Sequence, residues 1–274
     1  MPELPEVETI VTDLRPHLVG RTIVGCELLF PSIVRHPEPE VFASAIAGMR
    51  IQSAGRRGKY ILFGLLDEIQ LVVHLGMTGM LRLADPGELI AKHTHAVMSL
   101  DDGRQLRYRD PRRFGRLLLG SQRELEAAGK LPHLGPEPID PLFAPEELYR
   151  RLRRRHTALK AFLLDQSAIA GVGNIYADES LHRARLRPDR IAGSVSRRSA
   201  ARLHESLRES LATAIKNRGS SVDSYRDAWG ELGGQQEKLL VYGRGGEPCF
   251  TCGRTLSVMR IAGRTTVFCR RCQR

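Results

Sequence analysis

No apolar run in these 274 residues approaches the roughly 20 that a membrane-spanning helix needs. The chain begins Met-Pro-Glu-Leu-Pro-Glu-Val-Glu, acidic and proline-bearing where a secretory signal would be cationic and apolar. Both absences point to a cytoplasmic protein with no membrane partner. There is no internal repeat and no low-complexity tract, which sets aside repeat arrays and disordered tails. Cysteine is scarce, at five residues, and a cytoplasmic chain does not use so few as a disulfide scaffold.

What is present is ordinary in bulk and uneven in placement. Apolar residues make up 42% and charged residues 27%, a soluble composition in a chain long enough for two domains. The net charge is +11. Residues 1–140 carry 17 Lys+Arg against 18 Asp+Glu, and residues 141–274 carry the other 25 against 13. A basic half joined to a neutral half suggests a nucleic-acid-binding surface in the C-terminal portion, although solvated basic faces would give the same count.

Four of the cysteines form Cys249-x-x-Cys252 and Cys269-x-x-Cys272, with 16 residues between the pairs. Two such turns place two thiolates on each side of a tetrahedral ion, so the pattern predicts one structural Zn²⁺, with a redox pair as the weaker alternative. Cys26 stands alone and reads as a core thiol.

Pro2 and Glu3 form the other informative pair. A cell usually strips Met1 before so small a residue, leaving a secondary amine. Unprotonated, that amine can attack an electrophilic carbon and begin Schiff-base chemistry, with Glu3 in reach as a proton donor or acceptor. Met-Pro is also an ordinary way to begin a chain, and the two residues alone do not decide.

Apolar spacing predicts a helix over 4–20, with Val7, Ile10, Val11, Leu14 and Leu18 on one face and Pro2 and Glu3 just before it. Short β-like runs follow to about residue 119, separated by turn signals, which suggests an antiparallel sandwich or barrel. A proline-rich stretch over 131–141 reads as a linker, and helices are expected over 145–155, 157–164, 173–184 and 196–217. Residues 218–236 read as a mobile loop, and 238–272 as a metal-clasped β-hairpin.

Met-Pro-Glu-Leu-Pro-Glu, His74-Leu-Gly-Met77, Asp110-Pro-Arg-Arg-Phe-Gly115, Gly171-Val-Gly-Asn-Ile-Tyr176 and the four-cysteine hairpin are collinear across nearly the whole chain. Together they resemble bacterial formamidopyrimidine-DNA glycosylases. The resemblance implies an α+β fold: an N-terminal antiparallel β-sandwich with flanking helices, then a helix-two-turn-helix domain with a zinc-finger β-hairpin. The expected boundaries are 1–131 for the catalytic sandwich, 132–144 for the linker, 145–237 for the DNA-binding domain with its lesion loop, and 238–274 for the finger. It further implies a bifunctional DNA glycosylase and apurinic/apyrimidinic lyase in base excision repair, removing 8-oxoguanine and formamidopyrimidines. Its partner would be double-stranded DNA containing oxidised bases, and the protein a monomer.

The same resemblance distributes the roles. Pro2 is the nucleophile at deoxyribose C1′ and Glu3 the acid that opens the sugar ring; Lys59 serves the same chemistry through to the β,δ-elimination, and Arg264 grips the flipped nucleotide's phosphates and takes part in the final elimination. Met77, Arg112 and Phe114 fill the void left by the extruded base, as a thioether, a guanidinium and a ring can. His93, His156 and Asn174 are further DNA contacts, and Ser220, Ser221 and Tyr225 belong to the lesion loop. Taken singly, Met77 and Phe114 fit a core better, Lys59 a solvated strand end, Arg264 an exposed turn, and the Gly171–Asn174 segment a plain helix start. Two departures stand out: His156 replaces a lysine found in some relatives, and Gln235 precedes Gln236 where many have Phe-Gln. Arg226 and Trp229 are also unusual in that loop. Two alternatives stay open, an endonuclease-VIII-type enzyme for oxidised pyrimidines and a non-catalytic damaged-DNA-binding zinc-finger protein.

Overall fold

The first helix forms where the apolar spacing predicts it. In this computed structural model, which describes Met1–Arg274, α1 spans Leu4–Leu18, with Glu3 at its N-cap and Pro5 in its first turn. Val7, Ile10, Val11, Leu14 and Leu18 are all buried in the core beneath it. Gly20, at φ +90, turns the chain out of the helix.

The chain divides into two units, Met1–Pro132 with Asn217–Gly234, and His133–Lys216 with Gln235–Arg274. In unit 1 α1 is followed by β1 (Ile23–Leu28), β2 (Val34–His36), α2 (Pro39–Ile46), β3 (Ser53–Arg57), β4 (Tyr60–Gly64), β5 (Ile69–His74), β6 (Met80–Ala84), β7 (Thr94–Leu100), β8 (Gln105–Arg109), β9 (Arg116–Ser121) and α3 (Gln122–Ala127). These strands form a four-stranded sheet, β1-β7-β8-β6, and a five-stranded sheet, β2-β9-β5-β4-β3. Both sheets contribute to one apolar core, which includes Phe63, Leu71, Met98 and Leu106. Every pairing is antiparallel except the short β2, which lies parallel to β9 at the sheet edge. Cys26 packs against this core, and burial pushes its thiol up to about 11.

Unit 2 contains α4 (Pro145–Arg153), α5 (Leu159–Leu164), α6 (Asn174–Arg183), α7 (Arg197–Lys216) and the hairpin β10 (Ser257–Ile261) and β11 (Arg264–Phe268). No helix is long and apolar enough to cross a membrane.

Two sequence expectations change. The proline-rich stretch is not a free linker, because its backbone is held by unit 2. Gly135 N–H donates to Gln166 O, Ala170 N–H to Pro136 O, and Arg208 to the carbonyls of Pro138 and Asp140. The lesion-loop segment also leaves the helical domain, since residues 217–234 belong to unit 1. The cause is a pair of carboxylates on α1, Glu6 and Asp13, which hold Ser220 and Arg218.

Candidate active site and nucleic-acid interface

Pro2 and Glu3 are both buried at the start of α1. The helix dipole there disfavours a protonated amine and favours a carboxylate. Glu6 closes the first turn, its Oε2 accepting from Glu3 N–H at 2.8 Å. Its other oxygen, Oε1, accepts from Ser220 N–H at 2.8 Å, so one buried carboxylate joins the Pro2–Glu3 corner to the lesion-loop segment. Gly219 sits at φ +78, where a Cβ would press on Glu6 and the Tyr225 ring. Tyr225 is buried with its hydroxyl 3.4 Å from Glu6 O, and burial raises its pKa, with Glu6 adding to the rise. Ser221 Oγ donates to Tyr225 O at 2.9 Å and accepts from Gly233 N–H at 3.0 Å. Farther along α1, Arg218 bridges Asp13 at 2.6 Å and Asp227 at 2.5 Å. The segment expected to be mobile is therefore irregular but densely bonded. Glu6, Asp13 and Arg218 escaped the sequence reading because their partners are remote in the chain.

Lys59 follows β3 in a two-residue turn whose Gly58 has φ +57. It is buried. The hairpin that carries it is tied to α1 through Arg56 to Glu8 at 2.6 Å and Arg15 to Ala54 O at 2.8 Å. His74, at the end of β5, is held well down, to about 4, by burial and by the nearby cations Arg116 and Lys59.

Met77, Arg112 and Phe114 lie on two loops that one carboxylate organises. Asp110, fully buried, accepts from Thr78 Oγ1 at 2.5 Å and Arg112 N–H at 3.2 Å through Oδ1, and from Gly115 N–H at 2.8 Å through Oδ2. A Cβ on Gly76 would strike the Phe114–Gly115 backbone, so the two loops meet closely only because that residue is glycine. The outcome is two rigid turns with exposed tips. Phe114 is 55% exposed, Arg112 lies 4.7 Å over its ring, and Met77 is half-buried. A core role for Phe114 does not fit that exposure. His93, at φ +69, accepts from Asp110 N–H through its carbonyl, and its pKa is lowered by desolvation and then by Lys92 and Arg109.

In unit 2 the Gly171–Asn174 segment leads into α6, with Gly173 as N-cap and Asn174 as first residue. Asn174 Nδ2 donates to Thr265 O at 3.2 Å, which places the helix N-terminus beside the tip of the finger. That tip is a two-residue turn, Ala262 at φ 48 and Gly263 at φ 72, so Arg264 is the first residue of β11 and is exposed. Lys160 and Asp178, buried together, brace it. Lys160 Nζ lies 2.7 Å from Asp178 and donates to Thr266 Oγ1 at 2.8 Å, while Asp178 accepts from Val267 N–H. Burial pushes the Asp178 carboxyl up to about 6, against the pull of Lys160. His156 is exposed between α4 and α5.

At the other end of the hairpin, the sulfurs of Cys249, Cys252, Cys269 and Cys272 lie within 4.8 Å of one another. Cys249–Cys272 is 3.9 Å and Cys252–Cys269 3.5 Å, close to the edge of about 3.8 Å that a tetrahedron of Zn–S bonds requires. Four soft thiolates with no open position fit one structural zinc. Only Val241, Cys249, Leu256, Val267 and Cys269 are buried in this cluster, too few to fold the finger without a metal. His182 Nε2, 3.6 Å from Cys249 Sγ, is positioned to donate to the thiolate.

The sequence and the fold both match known proteins. The family model for the formamidopyrimidine-DNA glycosylase N-terminal domain matches residues 1–117, that for its H2TH domain residues 134–226, and that for the zinc finger found in FPG and IleRS residues 246–274. Formamidopyrimidine-DNA glycosylases of Desulforamulus reducens and Geobacillus kaustophilus are 44% and 45% identical, covering 100% of this chain and 99% and 100% of theirs. The solved MutM (Fpg) protein of Thermus thermophilus is 44% identical, with a TM-score of 0.89, over 99% of this chain and 98% of that one. Lactococcus lactis Fpg in complex with abasic-site DNA is 38% identical, with a TM-score of 0.92, over 99% of both chains. This chain belongs to the formamidopyrimidine-DNA glycosylase family.

Proposed function

We propose that this DNA glycosylase excises oxidised purines, 8-oxoguanine and formamidopyrimidines, and then cleaves the strand as an abasic-site lyase. The observation that carries the reading is the burial of Pro2 and Glu3 at the α1 N-terminus, joined through Glu6 to the lesion-loop segment. With Met1 removed, the Pro2 nitrogen lone pair attacks C1′ as the C1′–N glycosidic bond breaks, and the damaged base departs with a proton equivalent to the one that the Pro2 nitrogen gives up. As the C1′–O4′ bond breaks to give the iminium, Glu3 delivers a proton to O4′. Loss of a C2′ proton then expels the 3′ phosphate, and a second elimination expels the 5′ phosphate; Lys59 and Arg264 serve these steps. Met77, Arg112 and Phe114 occupy the place of the extruded base, and Asn174, His93 and His156 hold phosphates. Lactococcus lactis Fpg is described in complexes with abasic-site and N7-benzyl-Fapy-dG DNA, which supports the same substrate class here. Zinc is structural in this scheme and takes no step.

Borohydride trapping on an 8-oxoguanine duplex, followed by sequencing of the cross-linked terminus, tests the reading. The expected adduct is on Pro2, with no Met1 before it. An adduct on another side chain, or none, refutes the mechanism. Glu3→Gln is expected to bind the same duplex with nearly unchanged affinity and to lose at least about a hundredfold in excision. A thymine-glycol duplex cut faster than the 8-oxoguanine one would favour the pyrimidine-type alternative.

A further inference from the structure

A cavity of about 460 Å³ opens in unit 2 beside the metal end of the hairpin, lined by Arg185, Arg190, Arg202, Arg271 and Arg274 and by Cys252 and Cys272. It lies at the opposite end of α6 from Asn174. The helix and finger run alongside each other, with Asn174 at Thr265, Asp178 at Val267 and His182 at Cys249. Ten residues of helix separate the two ends by about 15 Å, so this is not the place of the DNA contact proposed for Asn174.

The charge in the cavity is unbalanced and partly fixed in place. No acidic side chain lines it. The nearest carboxylate in sequence, Asp189, is taken by Arg187 through paired bonds of 2.9 and 2.7 Å. Two of the five guanidiniums are held by neutral oxygens: Arg190 by Ser194 Oγ and O at 3.3 and 3.1 Å, and Arg202 by Ala184 O at 2.7 Å. Such bonds orient a guanidinium fork without cancelling its charge. Four thiolates around a divalent zinc carry a net −2, so even full compensation of the metal centre uses two of the five positive charges. A positive surplus remains, in a concavity of the size that encloses small ligands. Guanidinium forks match phosphate oxygens geometrically, and several converging on one space select clustered phosphates over a single anion.

We infer that this arginine cavity is a second anion site, one that binds clustered phosphates. A free oligophosphate or nucleoside triphosphate and a DNA backbone share that chemistry, and two arms of one experiment separate them. Zinc-loaded full-length protein is titrated calorimetrically with tripolyphosphate, with orthophosphate as the control. Binding to a long undamaged duplex and to a short lesion duplex is measured across a salt series. Both arms are repeated with Arg190→Gln/Arg271→Gln and with Arg190→Lys/Arg271→Lys, after zinc content and melting are checked. Expected is one tripolyphosphate per chain, weakened about tenfold or more by the glutamines and largely restored by the lysines. If tripolyphosphate fails to bind but the glutamines lower the long-duplex salt slope by about 2 and leave the short duplex unchanged, the source is DNA backbone and the site stands. Absence of both effects overturns it.

Discussion

At the scale of single residues, Glu6, Asp110 and His74 show how polar groups in unit 1 fix the Pro2–Glu3 corner and the turns that carry Met77 and Phe114. Glu6 and Asp110 each accept bonds from two chain segments, so replacing either leaves buried N–H groups without acceptors. His74 acts through charge. Its Nδ1 accepts from Gly76 N–H at 3.2 Å, and its ring lies 4.7 Å from that of Tyr60. Its folded pKa is about 4 against an ordinary 6.5. Because folding lowers that value, the unfolded chain takes up the proton first as pH falls. The contribution of neutral His74 is complete above about pH 6.5 and is lost as pH drops through about 4, a total on the order of 3 kcal/mol at most. Urea midpoints measured from pH 7.5 to 4 are expected to fall over that window. His74→Asn, which keeps an acceptor for Gly76 and cannot be protonated, is expected to flatten the fall, and an unchanged slope would contradict the assignment.

At the scale of elements, the segment 217–234 behaves as an attachment of α1. Arg218 is 45% exposed, but its partners Asp13 and Asp227 are 7% and 1% exposed, so its removal strands carboxylates that water reaches poorly. Asp227 in turn accepts from Trp229 and Glu231 N–H, both at 2.9 Å. Trp229, the chain's one tryptophan, sets its ring edge-on to His17 of α1 at 5.1 Å, so it reports whether the segment is docked. Arg218→Gln is expected to red-shift Trp229 emission, increase acrylamide quenching, and raise KM for the lesion duplex several-fold with a smaller change in kcat. Emission identical to the parent would show that the ion pairs do not hold the segment. This attachment also marks how far the sequence could be read. The buried face of α1, the strand centres, the cysteine cage and the turn glycines were legible because each is written in neighbouring residues. The placement of 217–234 was not, because it rests on a pairing between Glu6 and Ser220, 214 positions apart. The Lys160 brace was hidden for the same reason, its partner Thr266 lying 106 positions away. A lysine in an apolar helix gives no sign of which buried carboxylate it will meet.

At the scale of the whole molecule, the charge asymmetry seen in the sequence sharpens once the units are known. Unit 1, with residues 217–234 included, carries 19 Lys+Arg against 19 Asp+Glu, and the remaining 23 against 12 leave the entire net charge of +11 in unit 2. The chemistry assigned to Pro2 and Glu3 therefore sits in an electrically neutral unit, and the field that attracts a polyanion comes from the other. Binding should be driven by counterion release at unit 2 and should not depend on whether the duplex carries a lesion. The slope of log affinity against log salt is expected to be the same for 8-oxoguanine and undamaged duplexes, with an offset between them that salt does not alter. Arg264→Gln, on the exposed tip of unit 2, is expected to reduce that slope by about 1. Glu3→Gln, in unit 1, is expected to leave it unchanged while abolishing excision. A slope that differs between damaged and plain DNA, or that Glu3→Gln lowers as much as Arg264→Gln does, would mean that the neutral unit supplies backbone charge beyond the contact assigned to His93, whose pKa is lowered, and the division of labour between the units would fail.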